Sequence, residues 1–163
     1  MTYGGAVVPP RRSWVEGRCR LADTGPTISG MFEDPVRADG PLRILVVDGD
    51  DRVRESLAGL LAIGDRVLVI GSCGQPATAL ELVTDFRPDV VIVDPRLPEV
   101  DGGLRLIADL RAKCPDVRIL AMSSSDAHER AALDGGAHAF IRKTFRPTEL
   151  IAAILATWQP ADA

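Results

Sequence analysis

Only two histidines, His128 and His138, and three cysteines occur in the 163 residues, and no two cysteines form a C-x-x-C pair. That scarcity argues against a zinc site, which needs ligands of these types in close groups. Cys19, Cys73 and Cys114 are odd in number and far apart. Such spacing is expected of reduced thiols in a cytoplasmic protein rather than of a disulfide scaffold. No stretch approaches the roughly 20 apolar residues of a membrane span, and the N-terminus lacks the apolar core of a signal peptide. An excess of positive charge is missing too. The net charge of -4 and the pI near 5.2 argue against a nucleic-acid-binding surface. What is present, 46% hydrophobic and 26% charged residues, is ordinary globular composition, in a chain long enough to bury one core.

Residues 1–41 stand apart. They are rich in Gly and Pro, show no sustained period, and set five arginines against five acidic residues. Such a segment buries too little apolar surface to offset its ordering entropy, so a largely disordered extension is expected there.

From residue 42 the chain alternates strand and helix five times, and residues 42–159 form the expected domain. The apolar run 42–47 is followed by a helical pattern of Val53, Leu57, Leu60 and Leu61. A second strand is predicted over 66–70, with a loop over 71–74, and Ala77, Leu80, Leu82 and Val83 mark the second helix. Val90 to Val93 are unbroken β-branched residues without polar alternation, as a strand buried on both faces requires. Leu104, Ile107, Ala108 and Leu110 mark the third helix, and 117–122 the fourth strand. An alanine-rich, weakly amphipathic helix follows over about 126–133, closed by Gly135-Gly136. The fifth strand is predicted over 137–141. The last helix carries Leu150, Ile151, Ile154, Leu155 and an exposed-looking Trp158. Five βα units of this length predict an α/β fold, a doubly wound parallel sheet with helices on both faces.

A parallel sheet delivers every strand's carboxyl end to one edge, where open α/β sheets place their chemistry. The residues predicted at those ends are Asp48, Gly49 and Asp50, then Asp94, then Ser123 and Ser124, then Lys143. Each has a plain structural reading. Asp94 can simply end its strand, Asp51 reads as a helix N-cap, Ser123 can end the fourth strand, and Lys143 can be a solvated lysine. Their convergence from four strand ends is harder to assign to structure alone.

The stretches Ile44-Leu45-Val46-Val47-Asp48, Asp89-Val90-Val91-Ile92-Val93-Asp94, Leu97-Pro98 and Asp101-Gly102 recur in order with Ile119-Leu120-Ala121-Met122-Ser123 and Gly136-Ala137-His138-Ala139-Phe140-Ile141-Arg142-Lys143. On these motifs the body resembles the receiver domain of two-component response regulators. The resemblance implies a flavodoxin-like fold with strand order 2-1-3-4-5, an order general knowledge attaches to a member of this family. It implies that Asp94 is the phosphoacceptor, taking a phosphoryl group from a histidine kinase or phosphotransfer protein to form an aspartyl phosphate. Lys143 would neutralise phosphoryl charge, Ser123 would donate to a phosphoryl oxygen, and Phe140 would move with it as the switch aromatic. A Mg²⁺ would be held by Asp48, Asp94 and the main-chain carbonyl of Arg96, with Asp50 as a further candidate ligand. Output would be protein–protein contact with a downstream target through the face of helix 4, strand 5 and helix 5, the same face allowing a homodimer.

Three departures stand out. The acidic pair that usually follows strand 1 reads Asp48-Gly49, which weakens the expected metal site and motivates an alternative. In that alternative the chain is a degenerate receiver, a phosphorylation-independent interaction or dimerisation module. Thr144 stands where the family often has proline, so no cis bond is expected there. Pro95 and Arg96 follow the acceptor, and Arg96 is placed to pair with Asp94 at rest. A true enzyme is not expected, because aspartate-nucleophile phosphatases need a second acid where Arg96 stands. A flavin site is not expected, because residues 48–54 lack small hydroxyl residues to cradle a phosphate. A DNA-binding domain is not expected either, since only five residues follow Trp158.

Overall fold

A strand with no polar alternation needs apolar partners on both of its faces, and alternate residues divide between them. The computed structural model of the chain describes residues 2–3, 6–7, 40–97, 101–143 and 146–158, and it satisfies that demand with two apolar layers. Strands β1 (Leu42–Val47), β2 (Val67–Cys73), β3 (Val90–Val93), β4 (Arg118–Ser123) and β5 (Ala139–Arg142) are all parallel. Their order is β2-β1-β3-β4-β5, as the resemblance implied. Helices are α1 (Asp51–Leu61), α2 (Pro76–Phe86), α3 (Gly102–Lys113), α4 (Glu129–Asp134) and α5 (Pro147–Trp158).

Residues of one parity, such as Leu45, Val47, Val91, Val93, Ile119 and Ala121, pack with Leu82, Val83 and Phe86 of α2, Leu106 and Ile107 of α3 and Ala132 of α4. Residues of the other parity, such as Ile44, Val46, Val90, Ile92, Leu120 and Met122, pack with Leu57 and Leu61 of α1 and Leu150 and Ile154 of α5. The sheet is the divider between two cores, and each central strand must be apolar throughout.

Several expectations are corrected. The second strand runs on to Cys73 through the stretch expected as a loop. Its register shifts by one residue, Ile44 facing Val69 while Leu45 faces Gly71. The glycine marks a bulge inside a strand, not the start of a turn. The fourth helix is shorter than expected, with a 3₁₀ turn (Asp126–His128) before α4. Ala77 and Ala108 are exposed, and Ala79 and Leu106 carry the burial of their helices. Trp158 is half-buried against the α1/α5 core rather than exposed. Cys73 is a buried free thiol, but Cys114 is disulfide-bonded, against the expectation of three reduced thiols. Two two-residue strands, Thr2–Tyr3 and Ala6–Val7, extend the sheet antiparallel beyond β2. The rest of the expected extension over 1–41 lies almost wholly outside the described residues, as does Thr144.

The amino-terminal edge of the sheet is a fastening. Arg43 is 5% exposed, and its guanidinium donates to the Arg87 carbonyl at 2.9 Å and to that of Phe86. A cation thus closes the carboxyl end of α2, where the helix leaves carbonyls unpaired and its dipole is negative. The Arg43 N–H donates in turn to Asp89 Oδ2 at 2.8 Å. At the opposite edge Gly103 lets α3 pass against the carboxyl end of β3. A Cβ there would lie 2.2 Å from the Asp94 carbonyl oxygen and 2.6 Å from Pro95 Cα.

Arg43→Met strands two buried carbonyls and is expected to lower unfolding free energy by about 1–3 kcal/mol, read from the urea midpoint at unchanged slope. Gly103→Ala forces backbone apart and is expected to cost about 1–3 kcal/mol or more. A Gly103→Ala midpoint equal to the parent's would show that the close approach is not a constraint.

Candidate functional site

The ends of β1, β3, β4 and β5 contribute the polar groups of the carboxyl edge. β1 ends at Asp48, 2% exposed, and β3 ends at Asp94, 5% exposed. The two carboxylates are held alike. Asp48 Oδ1 accepts the Asp50 N–H at 2.9 Å, and Asp94 Oδ1 accepts the Arg96 N–H at 2.7 Å. These are local turns of the kind Asp makes with the amide two residues on. In both residues Oδ2 is left for a tertiary partner. That partner is Lys143, just beyond β5, whose Nζ lies 2.5 Å from Asp48 Oδ2 and 2.6 Å from Asp94 Oδ2. The approach to Asp48 is an ion pair off the hydrogen-bond direction, so this buried oxygen receives no well-aligned hydrogen bond.

The three groups line a cleft of about 510 Å³ together with Gly49, Asp50, Val53, Arg96 and Ser124. Burial alone would favour the neutral amine of Lys143. Close contact with the Asp48 and Asp94 carboxylates and their negative charges outweigh it and hold the pKa above the usual 10.5. Arg96, half-exposed, places Nε 4.0 Å from Asp94 Oδ1 and donates from Nη2 to Ser124 Oγ at 2.9 Å. The expected resting pair of Arg96 and Asp94 is therefore present, as a loose contact.

Other predicted residues take more specific places. Ser123 is fully buried, its Oγ accepting the Ser125 N–H at 3.4 Å, and Ser124 rather than Ser123 lines the cleft. Phe140 is half-buried on β5 and packs on the α2/α3/α4 core. The N-cap of α1 is Asp50, accepting the Arg52 N–H at 2.9 Å, not Asp51. Asp51 instead pairs with Arg54. Arg54 was missed by sequence reasoning, although it stands at helical i+3 spacing from Asp51. Its Nη1 donates to the Asp48 carbonyl at 2.5 Å and so fixes the end of β1.

Two carboxylates lining one cleft are hard-oxygen donors of the kind a Mg²⁺ accepts, since that ion keeps several waters and needs only one or two carboxylates. The buried Asp48 oxygen without a directed hydrogen bond fits it as well. Asp50 is taken up as the helix cap, and among the described residues no three acidic, His or Cys side chains group closely enough to hold an ion. Asp50 nonetheless lines the cleft beside Gly49.

Comparison with known proteins agrees with this geometry. Residues 44–155 match the family described as the Response regulator receiver domain. "Response regulator MprA" of Mycolicibacterium vanbaalenii is 39% identical over 127 residues, 75% of this chain and 54% of that protein. "DNA-binding transcriptional activator DevR/DosR" of Mycobacterium tuberculosis is 34% identical over 115 residues, 69% of this chain and 52% of that protein. The chain spans about half the length of these curated relatives. Among solved structures, the response regulator domain of Thermotoga maritima CheB has a TM-score of 0.68 at 27% identity, covering 75% of this chain and 99% of that one. A LuxR-family two-component response regulator from Aurantimonas has 0.67 at 28%, covering 73% and 86%.

Because the folded-state pKa of Lys143 is raised, its stabilising effect is complete below the unfolded lysine value near ~10.4 and is lost as pH rises through the folded value. Denaturation midpoints measured into the alkaline range are expected to fall more steeply for the parent than for Lys143→Met. Parallel curves would show that the ammonium is not held by the two aspartates.

Proposed function

The chain belongs to the response regulator receiver domain family, and from that premise we propose that Asp94 accepts a phosphoryl group from a histidine kinase or phosphotransfer protein. The observation that carries this reading is the pairing of Asp94 and Asp48 through one ammonium at the carboxyl edge of the sheet. In the step, an Asp94 carboxylate oxygen bonds to phosphorus as the bond from phosphorus to the donor imidazole nitrogen breaks, and that nitrogen keeps the electron pair. The product is an aspartyl phosphate and a free histidine.

Catalysis of this kind is mostly positioning and charge neutralisation. The Arg96 amide fixes one oxygen of Asp94 and so aims the other into the cleft. Lys143 stays beside the incoming phosphoryl oxygens as a point charge. A bound Mg²⁺, held by Asp48, Asp94 and the Arg96 carbonyl, would neutralise the remaining oxygen charge. Ser123 would donate its hydroxyl to the phosphoryl group, with Phe140 following, and the altered α4–β5–α5 face would meet a protein target or a second copy. The role is that of a signalling module, not an enzyme, and a cytoplasmic setting fits it. DNA binding is a named property of one relative, and for the described domain the proposed partners are proteins.

A second reading keeps the fold and drops the chemistry. It is favoured by Gly49, which stands where the family usually has the second acid of the pair. A degenerate receiver would use the same face without phosphorylation. Tight Mg²⁺ binding by the unmodified protein would sink that alternative.

Intact-mass spectrometry after incubation with a small phosphodonor and Mg²⁺ is expected to show one added phosphoryl group, absent from Asp94→Asn. Lys143→Ala is expected to slow the gain by about 10²–10³-fold, the usual cost of removing a group that stabilises developing charge. No gain from either a small donor or a phosphorylated histidine protein would favour the degenerate module.

A further inference from the structure

The segment that follows β4, residues 124–127, is outside any strand and is tied to the domain by side chains. Two arginines from neighbouring strand ends converge on it. Arg142 on β5 donates from Nη2 to the Ser124 carbonyl at 3.3 Å and pairs through Nε with Asp126 at 3.3 Å. Arg96, beyond β3, donates to the Ser124 hydroxyl at 2.9 Å. Within the segment, the Ala127 N–H donates to Ser125 Oγ at 3.2 Å. The two arginines differ in one respect: Arg96 also faces Asp94, at 4.0 Å from Oδ1, whereas Arg142 pairs with Asp126.

We propose that Arg96 is a positioning residue that couples the charge on Asp94 to the placement of residues 124–127. A guanidinium has several donors in a fixed fork, so it can serve a carboxylate and a hydroxyl at once. With one negative charge on Asp94, Arg96 is divided between that charge and Ser124. Adding a phosphoryl group raises the negative charge on this side to about two units. The stronger attraction draws the fork toward the acceptor and away from Ser124, which leaves the segment held by Arg142 and by the Ser125 N–H on Ser123 Oγ. With Asp94 neutral, the fork belongs to Ser124 entirely. This route runs through the Ser124 hydroxyl at the cleft mouth, whereas the Ser123 hydroxyl holds the same segment from beneath by accepting the Ser125 N–H. Its physiological trigger rests on Asp94 being the phosphoacceptor, but the coupling itself does not.

Amide hydrogen exchange of residues 125–127 tests it on the unmodified full chain. Arg96→Ala is expected to speed exchange roughly fivefold, as loss of one ordinary hydrogen bond would, and Ser124→Ala to match it. Asp94→Asn is expected to slow exchange in the parent and to have no effect in the Arg96→Ala background. Equal effects of Asp94→Asn in both backgrounds would overturn the coupling, as would exchange unchanged by Arg96→Ala. No phosphorylation is involved, so the two ideas fail separately. A missing mass gain with an intact cycle removes the phosphoacceptor and keeps the coupling, and the converse result does the opposite.

Discussion

Two buried carboxylates from adjacent strands share one ammonium, and the rest of the carboxyl edge is arranged to make that tolerable. Asp48 and Asp94 would repel each other at this separation and depth, and desolvation makes either charge costly alone. Lys143 neutralises one of the two, while backbone amides two residues on hold the other oxygen of each. Adjacent strands of parallel sense are what bring the groups to one place. β1 sits beside β3, and β5 lies one strand further out beyond β4, so the long lysine side chain must reach across. The triad of two carboxylates and one ammonium carries an excess of negative charge, and Arg96 lies 4.0 Å from Asp94 Oδ1.

The opposite edge of the sheet carries polar groups to a different end. Arg43 closes α2 and ties β1 to Asp89. Burial and the charges of Arg118 and Arg111 lower the pKa of His138, and its Nδ1 accepts the Ile119 N–H at 3.0 Å. These groups are satisfied at fixed positions, and their work is stability. At the carboxyl edge the polar groups instead line a cleft, where one ammonium is shared by two carboxylates. The domain thus separates fastening from chemistry along the strand direction, as open α/β sheets do.

Membership of the receiver family fits a surface whose net charge is negative and whose site gathers cations inward. The relatives named are about twice as long as the stretch they share with this chain. What is shared is the receiver domain. Function on this fold is set by the site and by the attached output, not by the sheet.

Much of this was legible in the linear order of residues. The β-branched run from Val90 to Val93 required a strand covered on both faces, and parallel strands required one shared edge, so Asp48, Asp94 and Lys143 were placed before any geometry was known. Local signals were less secure where two solutions are close in energy. In Asp48-Gly49-Asp50-Asp51 either of the last two aspartates can cap a helix, and only the path of the chain out of β1 selects Asp50. Gly71 reads as a turn and is instead the residue at a bulge, because pairing with β1 continues past it. The contacts that give the cleft its character join residues 28 and 49 positions apart, Arg96 with Ser124 and Lys143 with Asp94. Periodicity reports which face a residue shares with its near neighbours, over two to four positions. Which distant side chains meet, and at what distance, is decided by strand order and twist, and those exist only once the sheet has closed.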